Sequence, residues 1–125
     1  MKKFIFLAIF SFLSAAAIQL HAQSIRNTNW KTFIVGLNDS AVLHIYSDSS
    51  MVTNNSGAIL VRSHCFISGD TLTLKDYDGP YTCPNQDGVY MIHLNEAGLV
   101  LSLISDPCGG RVESIDGVKW IKASK

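Results

Sequence analysis

Cysteine is the residue type in this 125-residue sequence best suited to covalent chemistry, and it occurs at Cys65, Cys83 and Cys108. An odd number leaves one thiol over if two cysteines form a disulfide. Cys65 shares a face of its predicted strand with Val61 and Ile67, which predicts a buried free thiol that packs as a small hydrophobic residue. The alternative is a reactive or metal-binding cysteine, which no C-x-x-C spacing supports.

The register of a predicted hairpin over residues 89–105 pairs the other two cysteines. If the turn is centred on Glu96 and Ala97, Leu94 lies opposite Leu99. Continuing this register brings Cys83 and Cys108 almost opposite each other at the open end of the hairpin, close enough for a disulfide. We therefore predict a Cys83–Cys108 disulfide.

The histidines give little indication of catalysis or metal binding. His44, His64 and His93 each lie on the more polar face of a predicted strand, which is typical of solvated side chains. The sequence contains neither an H-x-H nor an H-E-x-x-H metal-binding spacing and no G-x-S-x-G nucleophile motif. We expect no catalytic residues, no metal and no cofactor, and therefore a protein that is not an enzyme.

Most of the candidate acidic residues are explained by turns. Asp and Asn side chains bond to their own backbone in turns, which accounts for Asp70, Asp76, Asp78, Asp87 and Asp116. Asp106 follows a predicted strand and precedes a segment that ends in Arg111. Two roles are open for it: capping the following turn, or pairing with Arg111.

Aromatic residues supply the candidate binding site. Tyr77, Tyr81 and Tyr90 surround the loop 78–88, where they either form the rim of a binding mouth or pack at the end of the fold. The candidate ligand-binding residues are Trp30, Tyr46, Tyr77, Tyr81 and Tyr90.

Short apolar alternations separated by turn residues must position these side chains. They predict eight strands, over 30–35, 41–47, 51–53, 58–68, 71–75, 89–95, 99–105 and 119–123. One short helical turn is predicted near Arg111–Ile115. Sequential hairpins of this kind favour an all-β fold, a small antiparallel up-and-down barrel whose closure removes exposed strand edges.

The first 22 residues have the order of a secretory signal peptide. Lys2 and Lys3 precede an apolar run, and small Ala22 precedes Gln23 at the predicted cleavage site. The alternative, an uncleaved membrane anchor, needs roughly 20 apolar residues, and the run over 4–20 is shorter. We predict a mature domain over 23–125 that is periplasmic or secreted, in a compartment that permits disulfides, and that meets the membrane only during export.

Composition excludes one class of partner. Cleavage after Ala22 leaves 8 basic and 10 acidic residues, without a basic cluster. Nucleic acid is therefore not an expected partner, since binding it requires concentrated positive charge.

Three features resemble small secreted bacterial lipocalin-like (calycin-type) proteins. The first is Trp30 at the start of the first strand. The second is the combination of Cys83-Pro84, Gly88 and Tyr90 with the later segment Asp106-x-Cys108-x-Gly110-Arg111. The third is Ile115 followed by Trp120 near the end of the chain. The resemblance covers roughly 30–121, with Thr28 standing where lipocalins have glycine, and the domain is shorter than theirs. It implies that the Arg111 guanidinium stacks on the Trp30 indole to close one end of a barrel.

This resemblance leads to two hypotheses of function. The first is an exported non-enzymatic binding protein that holds a small hydrophobic ligand inside the barrel. The predicted inward residues are Trp30, Ile34, Leu43, Ile45, Ile59, Val61, Leu72, Leu74, Ile92, Leu101 and Leu103, and the same set equally describes a filled core. The second is a protein-interaction module, such as an inhibitor of another exported enzyme, which contacts its partner through the loop 77–88.

Overall fold

Each strand of the chain pairs with its neighbours in sequence, and the last strand returns to the first. The structure, a computed structural model, describes residues 24–124. Its strands are β1 (Thr28–Ile34), β2 (Asp39–Ile45), β3 (Ser49–Asn54), β4 (Ile59–Ser68), β5 (Thr71–Asp78), β6 (Asp87–Asn95), β7 (Gly98–Ser105) and β8 (Lys119–Lys122). All pairs are antiparallel, and β8 pairs with β1. The predicted all-β up-and-down barrel of eight strands is confirmed.

Alternation of side chains across the strands builds the core. In β2 the residues Ala41, Leu43 and Ile45 are buried and the residues between them are half-buried. In β5 the same alternation buries Leu72 and Leu74. Since successive side chains of a strand point to opposite faces, one apolar row per strand is enough to fill the inside of a closed barrel.

Irregular pairing changes which residues of β4 face inward. The pairing of β3 with β4 shifts between Val52 and Thr53, so that Val52 pairs with Val61 whereas Thr53 pairs with Ile59. Leu60, which is skipped by this bulge, is 8 % exposed. Ile59 was predicted to face inward, and the bulge puts Leu60 in its place because an extra residue reverses the alternation.

The two ends of the barrel are closed differently. At the end where β1 begins, Ile25 is 1 % exposed and belongs to the core. The Thr28 hydroxyl donates a hydrogen bond to the Ile25 carbonyl, and the Trp30 indole N–H donates to Thr28 Oγ1 at 2.7 Å. The opposite end carries a 3₁₀ turn (Val35–Leu37), the β5–β6 loop and the helix α1 (Gly109–Ile115), which confirms the predicted helical turn.

The β6–β7 hairpin has the predicted register. Leu94 pairs with Leu99, and Cys83 forms a disulfide with Cys108 across a Cα–Cα distance of 6.1 Å. The disulfide joins the β5–β6 loop to the start of α1. Cys65 is the remaining thiol in the described part of the chain, and it is buried as predicted.

The predicted signal peptide, residues 1–22, lies outside the described residues. The disulfide is compatible with an oxidising exported compartment. Between residues 24 and 124, no helix has the length and apolar character needed to cross a membrane.

We expect removal of the disulfide to destabilise the domain. Cys83 and Cys108 are 25 residues apart in sequence, and a crosslink over such a distance contributes about 3 kcal/mol by restricting the unfolded chain. The double variant Cys83→Ala/Cys108→Ala should lose about this much free energy of unfolding in urea. A reducing agent should lower the stability of the wild type and leave the double variant unchanged. Equal stability of the two proteins without reductant would contradict the prediction.

Candidate functional site

A cavity of about 220 Å³ lies inside the barrel. Aliphatic side chains from β2 to β5 form much of its lining, namely Leu43, Ile45, Val52, Leu60, Leu72 and Leu74. Trp120 of β8 and Ile115 of α1 also line the cavity. Tyr81 and Gly110, which also line the cavity, are exposed, so the cavity meets solvent beside α1.

The cavity lies off the barrel axis. None of its lining residues comes from β6 or β7 in the described chain. Tyr90, Leu99 and Leu101 of these strands are 0 % exposed and fill that side of the interior. The opposite side carries shorter residues such as Ser50 and Ser63, which leave space unfilled.

Three polar residues run across neighbouring strands of the cavity lining. Ser50 of β3 pairs in register with Ser63 of β4, and Ser63 pairs with Asp76 of β5. All three are buried and line the cavity. The Ser63 hydroxyl donates a hydrogen bond to Asp76 Oδ1 at 2.7 Å. We call Ser50, Ser63 and Asp76 the polar row.

Arg111 joins the polar row to a second carboxylate. Its Nε and Nη2 atoms donate to the two oxygens of Asp106 at 2.6 and 2.8 Å, a bidentate pair. Its Nη1 atom lies 2.9 Å from Asp76 Oδ2, and Nη2 also donates to the Gln86 carbonyl at 2.6 Å. The arginine and both carboxylate side chains are at least nine-tenths buried. We call Arg111, Asp76 and Asp106 the ion cluster.

Further hydrogen bonds connect the ion cluster to both cysteines of the disulfide. The Cys83 N–H donates to Asp76 Oδ2 at 3.0 Å, and the Cys108 N–H donates to Asp106 Oδ1 at 2.9 Å. The Tyr90 hydroxyl donates to Asp106 Oδ2 at 2.5 Å. Both roles predicted for Asp106 are therefore present. It accepts a hydrogen bond from the backbone at the start of α1, and it pairs with Arg111.

Gly88 leaves room for this arrangement. A β-carbon at this position of β6 would lie 2.6 Å from Asp106 Oδ2 and 2.8 Å from Arg111 Nε. Both distances are too short for a carbon atom, so a larger residue would push the ion pair apart. Glycine is required here by the close approach of the cluster to the strand.

The pKa values of Asp106, Tyr90 and Arg111 follow from burial and pairing. Burial opposes ionisation of Asp106, but hydrogen bonds from Arg111, Tyr90 and the Cys108 N–H outweigh it and lower the pKa of this carboxyl. Burial and then the hydrogen bond to Asp106 raise the pKa of Tyr90. Burial disfavours the charge of Arg111, but Asp106 and Asp76 outweigh it and raise the pKa of the guanidinium. Asp106 and Arg111 thus keep their charges at neutral pH.

Cys65 lines the cavity but is poorly suited to act as a nucleophile. It is 2 % exposed, and burial raises the pKa of its thiol to about 11, while nearby Arg26 lowers it and Asp48 raises it. The thiolate is the reactive form of cysteine, so this thiol is inert near neutral pH.

The histidines do not converge. His44 lies between Asn29 Oδ1 (3.1 Å) and Thr53 Oγ1 (3.0 Å), and burial lowers the pKa of its imidazole. His64 stacks on Tyr77 with ring centroids 4.5 Å apart. Among residues 24–124, no group of three or more His, Cys, Asp or Glu residues is placed to hold a metal ion.

The five predicted ligand-binding residues lie in different places. Tyr81 lines the cavity at its open end. Tyr77 is 51 % exposed and stacks on His64, and Tyr46 is 43 % exposed and stacks on His44 with a centroid separation of 6.5 Å. Tyr90 and Trp30 are buried in the core and do not belong to the cavity lining.

The predicted stacking of Arg111 on Trp30 does not fit the structure. Trp30 lies near the start of β1, whereas Arg111 follows the end of β7, and these points are at opposite ends of an antiparallel barrel. The Trp30 indole bonds to Thr28, and Arg111 is held by the two carboxylates. Buried carboxylates attract a guanidinium more strongly than an aromatic face does.

Sequence reasoning missed the polar row. Asp76 was assigned to a turn, but β5 extends to Asp78 and places it on the inward face with Leu72 and Leu74. Ser63 shares the inward alternation of Val61 and Cys65, so its position was readable from the pattern. The alternation of residues along the strands could not predict that Arg111 pairs with Asp76, because their contact depends on closure of the barrel.

Comparisons of this chain with protein-family models, curated proteins and solved structures found no match. The class that the fold itself defines is a closed eight-stranded antiparallel barrel with an internal cavity.

Removing Arg111 should destabilise the fold strongly. Arg111→Met leaves Asp76 and Asp106 buried without their cation, and such a loss typically costs about 3–5 kcal/mol. The matched control is Lys75→Met, which removes a half-exposed cation 3.6 Å from Asp87 and should change the free energy of unfolding by less than about 1 kcal/mol. Urea unfolding of both variants measures the difference. Similar losses in the two variants would show that the ion cluster has no special role.

The lowered pKa of Asp106 predicts a loss of stability in acid. A carboxyl whose pKa is lower in the folded state binds protons more readily when unfolded, so its contribution is complete well above its ordinary pKa of 3.8. That contribution disappears as the pH falls through the folded value. Thermal unfolding between pH 7 and pH 2.5 should therefore show a steep fall at the acid end, and the fall should be shallower in Asp106→Asn. Parallel pH curves for the two proteins would contradict this explanation.

Proposed function

We propose that the mature domain is an exported, non-enzymatic binding protein that holds one small hydrophobic ligand inside a lipocalin-like barrel. The observation that carries the proposal is the apolar cavity of about 220 Å³, open beside α1. An apolar cavity of roughly 150 Å³ is large enough to bind benzene. This cavity suits a ligand of one ring or a short chain.

The character of the lining supports an apolar ligand. Aliphatic side chains and Trp120 cover most of the cavity, and polar groups are confined to a few positions. Small-molecule sites commonly combine a largely hydrophobic lining with a few placed polar groups. Burying the apolar surface of a ligand contributes about 25 cal/mol per Å², which supplies the main driving force.

The construction of the open end supports binding without large movement. The ion cluster and the disulfide hold α1, the β5–β6 loop and β5 together, so the shape of the cavity is set before a ligand arrives. A preformed site loses less conformational entropy on binding. Tyr81 at the edge is exposed and can move to admit a ligand.

Filling the cavity should weaken binding. In an NMR titration of the mature protein with p-xylene, Val52→Phe places a ring in the cavity and should weaken binding by about tenfold or more. The matched control is Val42→Phe, which alters the outward face of β2 and should bind p-xylene like the wild type. Failure of the wild type to bind p-xylene and the phenol and carboxylate probes described below, or unchanged binding by Val52→Phe, would reject the proposed function.

A further inference from the structure

We infer that the cavity selects ligands that carry one uncharged hydroxyl or carbonyl group, which Ser50 binds beside Ser63, and that it disfavours carboxylates. This inference rests on the proposed function and specifies the chemical class of the ligand. It depends on three features of the cavity lining: an unpaired hydroxyl, an acceptor beside it, and the sign of the neighbouring charge.

The unpaired hydroxyl belongs to Ser50. This residue is 4 % exposed and lines the cavity, so its side chain is removed from bulk solvent. Its hydroxyl has no hydrogen-bond partner among residues 24–124, whereas Ser63 and Ser114, which line the same cavity, are both bonded. A hydroxyl without a protein partner gains a hydrogen bond when a suitable ligand atom lies beside it. A ligand atom next to Ser50 would supply that partner.

Ser63 adds an acceptor next to this hydroxyl. It pairs in register with Ser50 on the adjacent strand, and both line the cavity. Because Ser63 donates its proton to Asp76, its oxygen can only accept from a ligand. Ser50 can donate and accept. A ligand hydroxyl can therefore donate to Ser63 while it accepts from Ser50, and a ligand carbonyl can accept from Ser50.

The charge near the polar row is unfavourable for an anion. In the described chain, Arg111 is the one basic residue that lines the cavity, and Asp76 and Asp106 already engage its guanidinium. Two carboxylates with one guanidinium leave one net negative charge, and Asp76 lies beside Ser63 on the adjacent strand and itself lines the cavity. A carboxylate ligand would be desolvated beside this charge with no free cation to compensate.

Three probes separate these properties. p-Cresol and p-xylene have nearly the same shape and differ by a hydroxyl in place of a methyl, and p-cresol is uncharged at pH 7 because phenols titrate near pH 10. Benzoate carries a carboxylate on a ring of the same size. Their dissociation constants are measured by NMR titration of the mature wild type, Ser50→Ala and, as a matched control, Ser68→Ala, whose serine is exposed at the end of β4.

We expect Ser50→Ala to weaken p-cresol binding about fivefold, the factor that corresponds to one ordinary hydrogen bond, and to leave p-xylene binding unchanged. Ser68→Ala should change neither. Benzoate should bind the wild type at least tenfold more weakly than p-cresol, in keeping with the net negative charge beside the site. Because p-xylene binding must stay constant, a general effect of the substitution on the cavity is excluded by the same experiment.

The result that overturns the inference differs from the one that overturns the proposed function. If p-xylene binds and Val52→Phe abolishes that binding, but Ser50→Ala leaves the affinity for p-cresol unchanged, the cavity binds ligands without the polar selection inferred here. Tighter binding of benzoate than of p-cresol would overturn the inference in the same way. If none of the three probes binds, the inference and the proposed function both fail.

Discussion

The ion pair between Arg111 and its two carboxylates controls how the open end of this barrel is built. Asp76 belongs to β5, Asp106 follows β7, and Arg111 belongs to α1, so one guanidinium holds three separate parts of the chain. It also bonds the Gln86 carbonyl in the β5–β6 loop. Buried charges are tolerated only with good geometry and further hydrogen bonds. This requirement restricts α1 and the loop to one arrangement, which the disulfide between them reinforces.

The cavity is a consequence of unequal side-chain size around the barrel. Tyr90, Leu99 and Leu101 fill the side formed by β6 and β7, while Ser50 and Ser63 on β3 and β4 are too short to meet them. Protein interiors are normally packed without voids of this size, because each void forfeits contacts. The space that remains beside Ser50 and Ser63 is the place where the proposed ligand would bind.

The small size of the domain makes covalent and ionic links between its parts important. A small single barrel gains limited stability from its core, so additional links such as disulfides contribute a large share of it. Here the disulfide and the ion cluster lie together at the open end, and Ile25 plugs the other end with apolar packing. These links hold the residues around the open end of the cavity in one arrangement.

The sequence by itself determined the barrel, the eight strands and the disulfide. Period-two alternation and turn residues act locally, and one hairpin register was enough to bring Cys83 and Cys108 together. The sequence did not predict the β-bulges, because one skipped residue such as Leu60 reverses the alternation without a clear local signal. Only the tertiary structure decided that Arg111 pairs with Asp76 and Asp106 rather than with Trp30, and that a cavity remains beside Ser50. Both depend on distances across a closed sheet, where small shifts in register move side chains by several ångströms, and no local pattern encodes such shifts.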